Sequence, residues 1–108
     1  MALERIDKIS HHAHQRLAQR NLSDPDIHYV LTHGTRIHNG SAVFVHLGRR
    51  DIPENDRRIS RWRRLEGTVL VLDPQSGHQL TTAYRNRQHG IKDIKRKRKY
   101  RIPSRFEC

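Results

Sequence analysis

The sequence predicts an α+β fold: two N-terminal helices packed on a four-stranded, mainly antiparallel sheet, with a basic C-terminal extension. Three observations predict it. Apolar residues recur at helical spacing before residue 34 and at period two after it. The pair Asn39-Gly40 separates two short alternating segments, as in a tight hairpin. Ten of the 22 Lys and Arg residues fall within residues 85–108, against two acidic ones. The chain of 108 residues suits one domain with a modest core. Residues 1–87 are expected to form the folded domain and 88–108 a basic tail.

Ile6, Ile9, Ala13 and Leu17 form an amphipathic stripe for the first helix. Asp7 or Ser10 suits its N-cap, and Asn21-Leu22 ends it. A second helix is expected between Ser23 and Gly34. Ser23 is its N-cap, Asp26 stands three residues on as in a capping box, and Pro25 suits the first turn. Gly34 is expected to stop it in the left-handed conformation. Ile27, Val30 and Leu31 form its buried face. Strands follow over 35–38 and 41–47, with Val43, Val45 and Leu47 on one face and Phe44 and His46 on the other. Residues 48–61 read as a long charged loop, and Arg57 to Leu65 is open between strand and irregular chain. Thr68 to Leu72 is apolar on both faces, which predicts a central strand. A turn over 73–77 leads to the last strand, Gln79 to Arg85. Alternation there puts Leu80, Thr82 and Tyr84 on one face and Thr81, Ala83 and Arg85 on the other. Ile91 to Tyr100 reads as a basic helix or as disorder.

The formal net charge is +11. A tail this basic suits nucleic acid, because cations that neutralise phosphates release counterions. The alternative is a solvated appendage. No apolar run approaches the ~20 residues of a membrane span, so no membrane partner is expected. The N-terminus lacks the apolar stretch of a signal peptide, so a cytoplasmic location is expected. The single cysteine, Cys108, excludes an intramolecular disulfide and a zinc ribbon.

The segment Ser10 to Arg20 places His12, Arg16 and Arg20 at i, i+4 and i+8, roughly on one helix face. RNA can be cut without a metal, because its own 2′-OH attacks the adjacent phosphorus. That route needs proton transfer, positive charge on the phosphorane, and a hydroxyl to hold an oxygen. Histidine and arginine suit the first two tasks. His12, Arg16, Thr82, Tyr84 and Arg85 supply all three if the first helix packs beside the last strand. Arg20, Arg61, Arg63, Arg64 and the run Lys95, Arg96, Lys97, Arg98 and Lys99 are expected to contact RNA. Trp62 either stacks on a base or covers the core. His11 and His14 could pair on a metal, but no third ligand announces itself; no metal or cofactor is expected. Asp51, Glu54 and Asp56 are the only clustered carboxylates, too few for a two-metal site. Among the other histidines, His46 on its strand is the strongest spare acid or base.

The pattern Ser10-x-His12-Ala13-x-x-Arg16-x-x-x-Arg20, the helix closing at His33-Gly34 and the strand Leu80-Thr81-Thr82-Ala83-Tyr84 resemble a bacterial family of small domains. That family opens Ser-x-His-Ala-x-x-Arg-x-x-x-Arg and is grouped with the barnase, colicin and RelE-like ribonuclease toxins. The resemblance covers about residues 6–86. The segment 49–64 and the tail after Arg87 depart from it. It implies a metal-independent endoribonuclease of the toxin type, a hydrolase with His12 as acid/base. The family's helix arginines fall on Arg16 and Arg20 and its strand residues on Thr82 and Tyr84. On the reading of the residues themselves, Arg16, helped by Arg85, would stabilise the phosphorane, and Thr82 and Tyr84 would position the phosphate. The basic tail would hold RNA, and in the resting cell an acidic antitoxin would cover it. The competing expectation is a non-catalytic RNA- or ribosome-binding module.

Overall fold

A computed structural model describes residues 9–74, 79–87 and 90–96. Helices α1 (His11–Gln19) and α2 (Asp24–His33) precede strands β1 (Thr35–Asn39) and β2 (Ala42–His46). Two 3-10 turns, Arg49–Asp51 and Glu54–Arg58, and the short helix α3 (Ser60–Arg63) lead to β3 (Thr68–Asp73) and β4 (Gln79–Arg85). Helix α4 (Gly90–Arg96) follows. The strands form one antiparallel sheet in the order β1-β2-β3-β4. The fold is α+β. The segment after β2 is not a plain loop. Asp51 Oδ2 accepts the Gly48 amide at 2.8 Å and closes the first 3-10 turn, and Pro53 opens the second.

Ser10 caps α1. Its Oγ accepts the Ala13 amide at 3.0 Å and donates to the Thr81 carbonyl at 3.1 Å. Asp7, the other candidate cap, lies outside the described residues. Asn21 ends α1 with φ 55°, a conformation that Asn tolerates. At α2 the Ser23 amide donates to Asp26 Oδ2 at 3.0 Å.

Two expected turns change. Gly34 is extended, φ −69° and ψ 161°, not left-handed. Glycine is needed there for room: a Cβ would lie 2.6 Å from the Val30 carbonyl oxygen and 2.8 Å from Val45 Cγ1. The hairpin turn falls one residue later than the Asn-Gly signal suggests. Asn39 pairs with Ala42, so Gly40 and Ser41 make the turn, with Gly40 at φ 64°. Asn39 stays in β1, where its side-chain Nδ2 donates to the Ile94 carbonyl at 2.9 Å.

Both faces of the sheet are covered. Val43, Val45, Leu70, Leu72, Leu80 and Ala83 pack with Ala13 and Leu17 of α1 and Ile27, Val30 and Leu31 of α2. On the other face Phe44, Val69 and Val71 pack with Ile94 of α4, with Ile37 and Tyr84 alongside. Hence β2 and β3 are central and apolar on both sides. Ile94 is fully buried, so residues 90–96 belong to the packed body rather than to a solvated tail.

The register of β3 and β4 shifts between Val71 and Leu72. Val71 pairs with Thr82 and Leu72 with Leu80, so Thr81 is the extra residue of a bulge. A bulge reverses side-chain alternation beyond it. Leu80 therefore shares its face with Ala83 and Arg85, and Thr82 and Tyr84 fall on the α4 face. Among the described residues no helix is long and apolar enough to cross a membrane.

Candidate nucleic-acid interface

Helix α1 lies along β4. Ile9 bridges Leu80, the Ser10 amide donates to the Leu80 carbonyl at 3.1 Å, and Ser10 Oγ reaches Thr81. Ala13 and Leu17 point into the core, which leaves His12 and Arg16 half-buried beside it. Arg16 Nε donates to His12 Nε2 at a long 3.4 Å, and Arg16 Nη1 to Gln19 Oε1 at 3.1 Å. A guanidinium can donate to that ring nitrogen only while the nitrogen carries no proton.

The expected convergence of His12 and Arg16 with Thr82 and Tyr84 is corrected. The bulge at Thr81 turns Thr82 and Tyr84 to the opposite face, where Tyr84 packs beside Phe44 and Val69. Arg85 does stand on the α1 face. Burial lowers its pKa from the usual arginine range, and the charges of Arg87, Arg20 and Arg64 lower it further. Arginine stays protonated in proteins, so the lowered value marks partial desolvation first and the fields of three other guanidinium groups second, not a neutral side chain. These guanidinium groups come from three separate segments, the end of α1, the exit of α3 and the end of β4 with the residues just after it, and the charges of the other three reach Arg85.

Arg64 has a structural tie as well. Its Nη2 lies 2.6 Å from Asp26 Oδ2, and Arg61 Nε stands 3.8 Å from Asp26 Oδ1. Trp62 stacks on Tyr29 with centroids 4.2 Å apart and planes 6° from parallel, and Arg61 covers the indole at 4.8 Å. The Tyr29 hydroxyl donates to Asp56 Oδ2 at 2.7 Å. Burial and that carboxylate push the Tyr29 phenol far above its ordinary pKa. Trp62 therefore covers the core and is not a platform for a base. Arg63 and Lys95 are exposed on α3 and α4. Arg96 is the last residue of α4, and Lys97, Arg98 and Lys99 lie outside the described residues.

A second basic feature adjoins the first. A cavity of about 430 Å³ opens beside His46, between the 49–51 turn, the start of β3 and α4. Arg49, Arg50, Arg87 and Lys92 line it. His46 is 7% exposed, and its Nδ1 has no hydrogen-bond partner. Burial pushes the His46 pKa down, only partly offset by Asp51 and the Asn86 backbone. Sequence reasoning singled out His46 but missed Arg49, Arg50, Arg87 and Lys92 as a group. Arg49 and Arg50 are neighbours in the sequence, but only the fold brings Arg87 and Lys92 to them.

Among the described residues no group of three or more His, Cys, Asp and Glu gathers as metal ligands would. Protein-family models, curated proteins and solved structures yield no match to this chain. The functional reading accordingly rests on the residues themselves.

Proposed function

We propose that this protein acts on RNA in the cytoplasm, gripping the phosphate backbone with the arginines of its α1–β4 surface. The observation that carries this reading is the cationic surface on which the charges of Arg20, Arg64 and Arg87 act on Arg85. Like charges that feel one another's field repel, and a phosphodiester chain relieves that repulsion at several points while releasing its counterions. The separation of Thr82 and Tyr84 from α1 favours binding, including binding at a ribosome, as the primary activity.

A second reading keeps one specific support. The His12–Arg16 pair, beside Arg20 and Arg85, suits metal-independent endoribonuclease chemistry of the toxin type. With Arg16 turned from His12 Nε2 to the phosphate, that nitrogen would take the proton of the 2′-OH as its oxygen attacks phosphorus. The bond to the 5′-oxygen breaks, and the imidazolium returns a proton to that leaving group. Arg16 and Arg85 would neutralise the phosphorane oxygens. Thr82 and Tyr84 have no part in this version of the site. An acidic antitoxin would cover the same cationic surface.

The test is one titration read two ways, in EDTA, with a single-stranded RNA and a DNA of matching sequence. Arg20→Glu with Arg85→Glu should weaken binding of both strands at least tenfold. Unchanged affinity would remove the reading. Appearance of 2′,3′-cyclic phosphate ends on RNA alone, lost by about 10²–10⁴-fold in His12→Ala, would establish the endoribonuclease. Tight binding without any cleavage would establish the binding module.

A further inference from the structure

We propose that the cavity beside His46 is a second, distinct site that takes the phosphate of a nucleoside monophosphate. Its volume, about 430 Å³, lies in the roughly 300–1,000 Å³ range of small-molecule sites. Four cations line it, Arg49, Arg50, Arg87 and Lys92, against the two carboxylates of Asp51 and Glu66. Both Asp51 oxygens are engaged within the protein: Oδ1 accepts the Thr35 hydroxyl at 3.1 Å and Oδ2 the Gly48 amide at 2.8 Å. Arg87 Nε donates to the Glu66 carbonyl at 3.4 Å, which anchors its guanidinium at the cavity wall. The excess of positive charge matches a phosphate monoester, which approaches two negative charges at neutral pH.

The wall is shaped as well as charged. Gly90 sits against the imidazole, where an added Cβ would lie 2.2 Å from His46 Nε2. Only a residue without a side chain lets α4 pack this closely over His46. Gly67 takes φ 87°, and a Cβ there would meet Arg87 Cγ at 2.7 Å. Two glycines thus leave room for His46 and Arg87 in the wall, and the nearly enclosed His46 ring carries a buried Nδ1 with no hydrogen-bond partner.

The nucleotide identity rests on the RNA reading. Arg87 belongs both to this cavity and to the guanidinium cluster around Arg85, so a strand gripped on the α1–β4 surface can lead its phosphorylated end into the cavity. A free mononucleotide offers the same chemistry.

The experiment uses the full chain, titrated with inorganic phosphate, AMP and adenosine, and followed by calorimetry and by the ring signals of His46. AMP and phosphate should bind and shift those signals, and adenosine should not. Lys92→Glu, an exposed change, should weaken AMP at least tenfold. Gly90→Ala should abolish the shift of the His46 signals. AMP that leaves the His46 signals unmoved, or that binds Lys92→Glu as well as wild type, overturns the site. RNA binding without AMP or phosphate binding overturns this site alone. AMP binding without RNA binding upholds it and removes the RNA reading. Tighter binding of a 5′-phosphorylated than of a hydroxyl-ended oligoribonucleotide assigns the ligand to strand ends; equal binding assigns it to the free nucleotide.

Discussion

Asp26 carries one of the strongest single-residue constraints in the molecule. It is fully buried in the first turn of α2. Burial raises its pKa, but the Ser23 amide, the Arg64 guanidinium and the Ser23 hydroxyl together lower it below the usual aspartate value. A lowered folded pKa means stability that is fully present above the unfolded carboxylate pKa and lost as pH falls through the folded one. Removing one partner of a buried ion pair typically costs about 3–5 kcal/mol. Because Arg64 is partly exposed, Asp26→Asn should cost somewhat less, about 2–3 kcal/mol at pH 7, with the difference shrinking toward pH 3. Urea unfolding at both pH values measures it; a pH-independent loss would show that the charge is immaterial. His46 works in the same direction at milder pH. Its depressed pKa makes the folded state reluctant to take a proton, so stability is present above about pH 6.5 and is lost as pH falls below it. Melting temperature should drop from pH 7.5 to 5.5, and drop less in His46→Asn. A flat profile in the wild type would contradict the burial of that imidazole.

At the scale of the element, α1 divides its own motif between two tasks. Ser10 caps the helix and ties it to β4, and Ala13 lets the helix approach the sheet with no exposed surface. His12 and Arg16 take no part in that packing and stay half-buried beside it. Half of a pattern that reads as functional is thus architecture. Ser10→Ala removes a cap worth about 1 kcal/mol and also the bond to Thr81. Unfolding should show a loss of about 1–2 kcal/mol, and hydrogen exchange should rise first in α1. Protection in α1 equal to wild type would mean that apolar packing alone fixes the helix. The bulge at Thr81 is the other decisive element. Period-two alternation over 79–85 assumes an unbroken ladder, and one extra residue exchanges the faces of Thr82, Tyr84 and Arg85. The Asn39-Gly40 signal misplaced its turn by one residue for a related reason: the register was settled by what β1 pairs with and by the Asn39 bond to Ile94.

For the whole molecule, the basic C-terminal region has two parts with different consequences. Ile94 seals Phe44, Val69 and Val71 on the α4 face. Ile94→Ala should cost about 2–5 kcal/mol, the usual range for a buried isoleucine, and truncation after Arg87 should expose that face entirely. Truncation after Arg96 keeps Ile94 and removes Lys97, Arg98, Lys99, Arg101 and Arg105. If all five touch phosphates, the slope of log K against log salt for single-stranded RNA should flatten by roughly 3–4 units. An unchanged slope with an unchanged melting temperature would make those residues a solvated appendage.

By itself the sequence determined the α+β class, the span of α2, the end of α1 and the central position of β3. Each follows from local periodicity and capping, interactions between residues a few positions apart. The start of α1 stays open in the sequence between Asp7 and Ser10, and Ile9, placed in its stripe, instead bridges Leu80 ahead of the helix. The tertiary structure alone decided which side chains meet. Arg20, Arg64, Arg85 and Arg87 come from three distant segments, as do His46, Arg49 and Lys92 around the cavity. Their proximity depends on strand pairing and on one inserted residue at Thr81. Neither leaves a trace in the local pattern, because a ladder's register is a property of two strands and a composition or period describes only one.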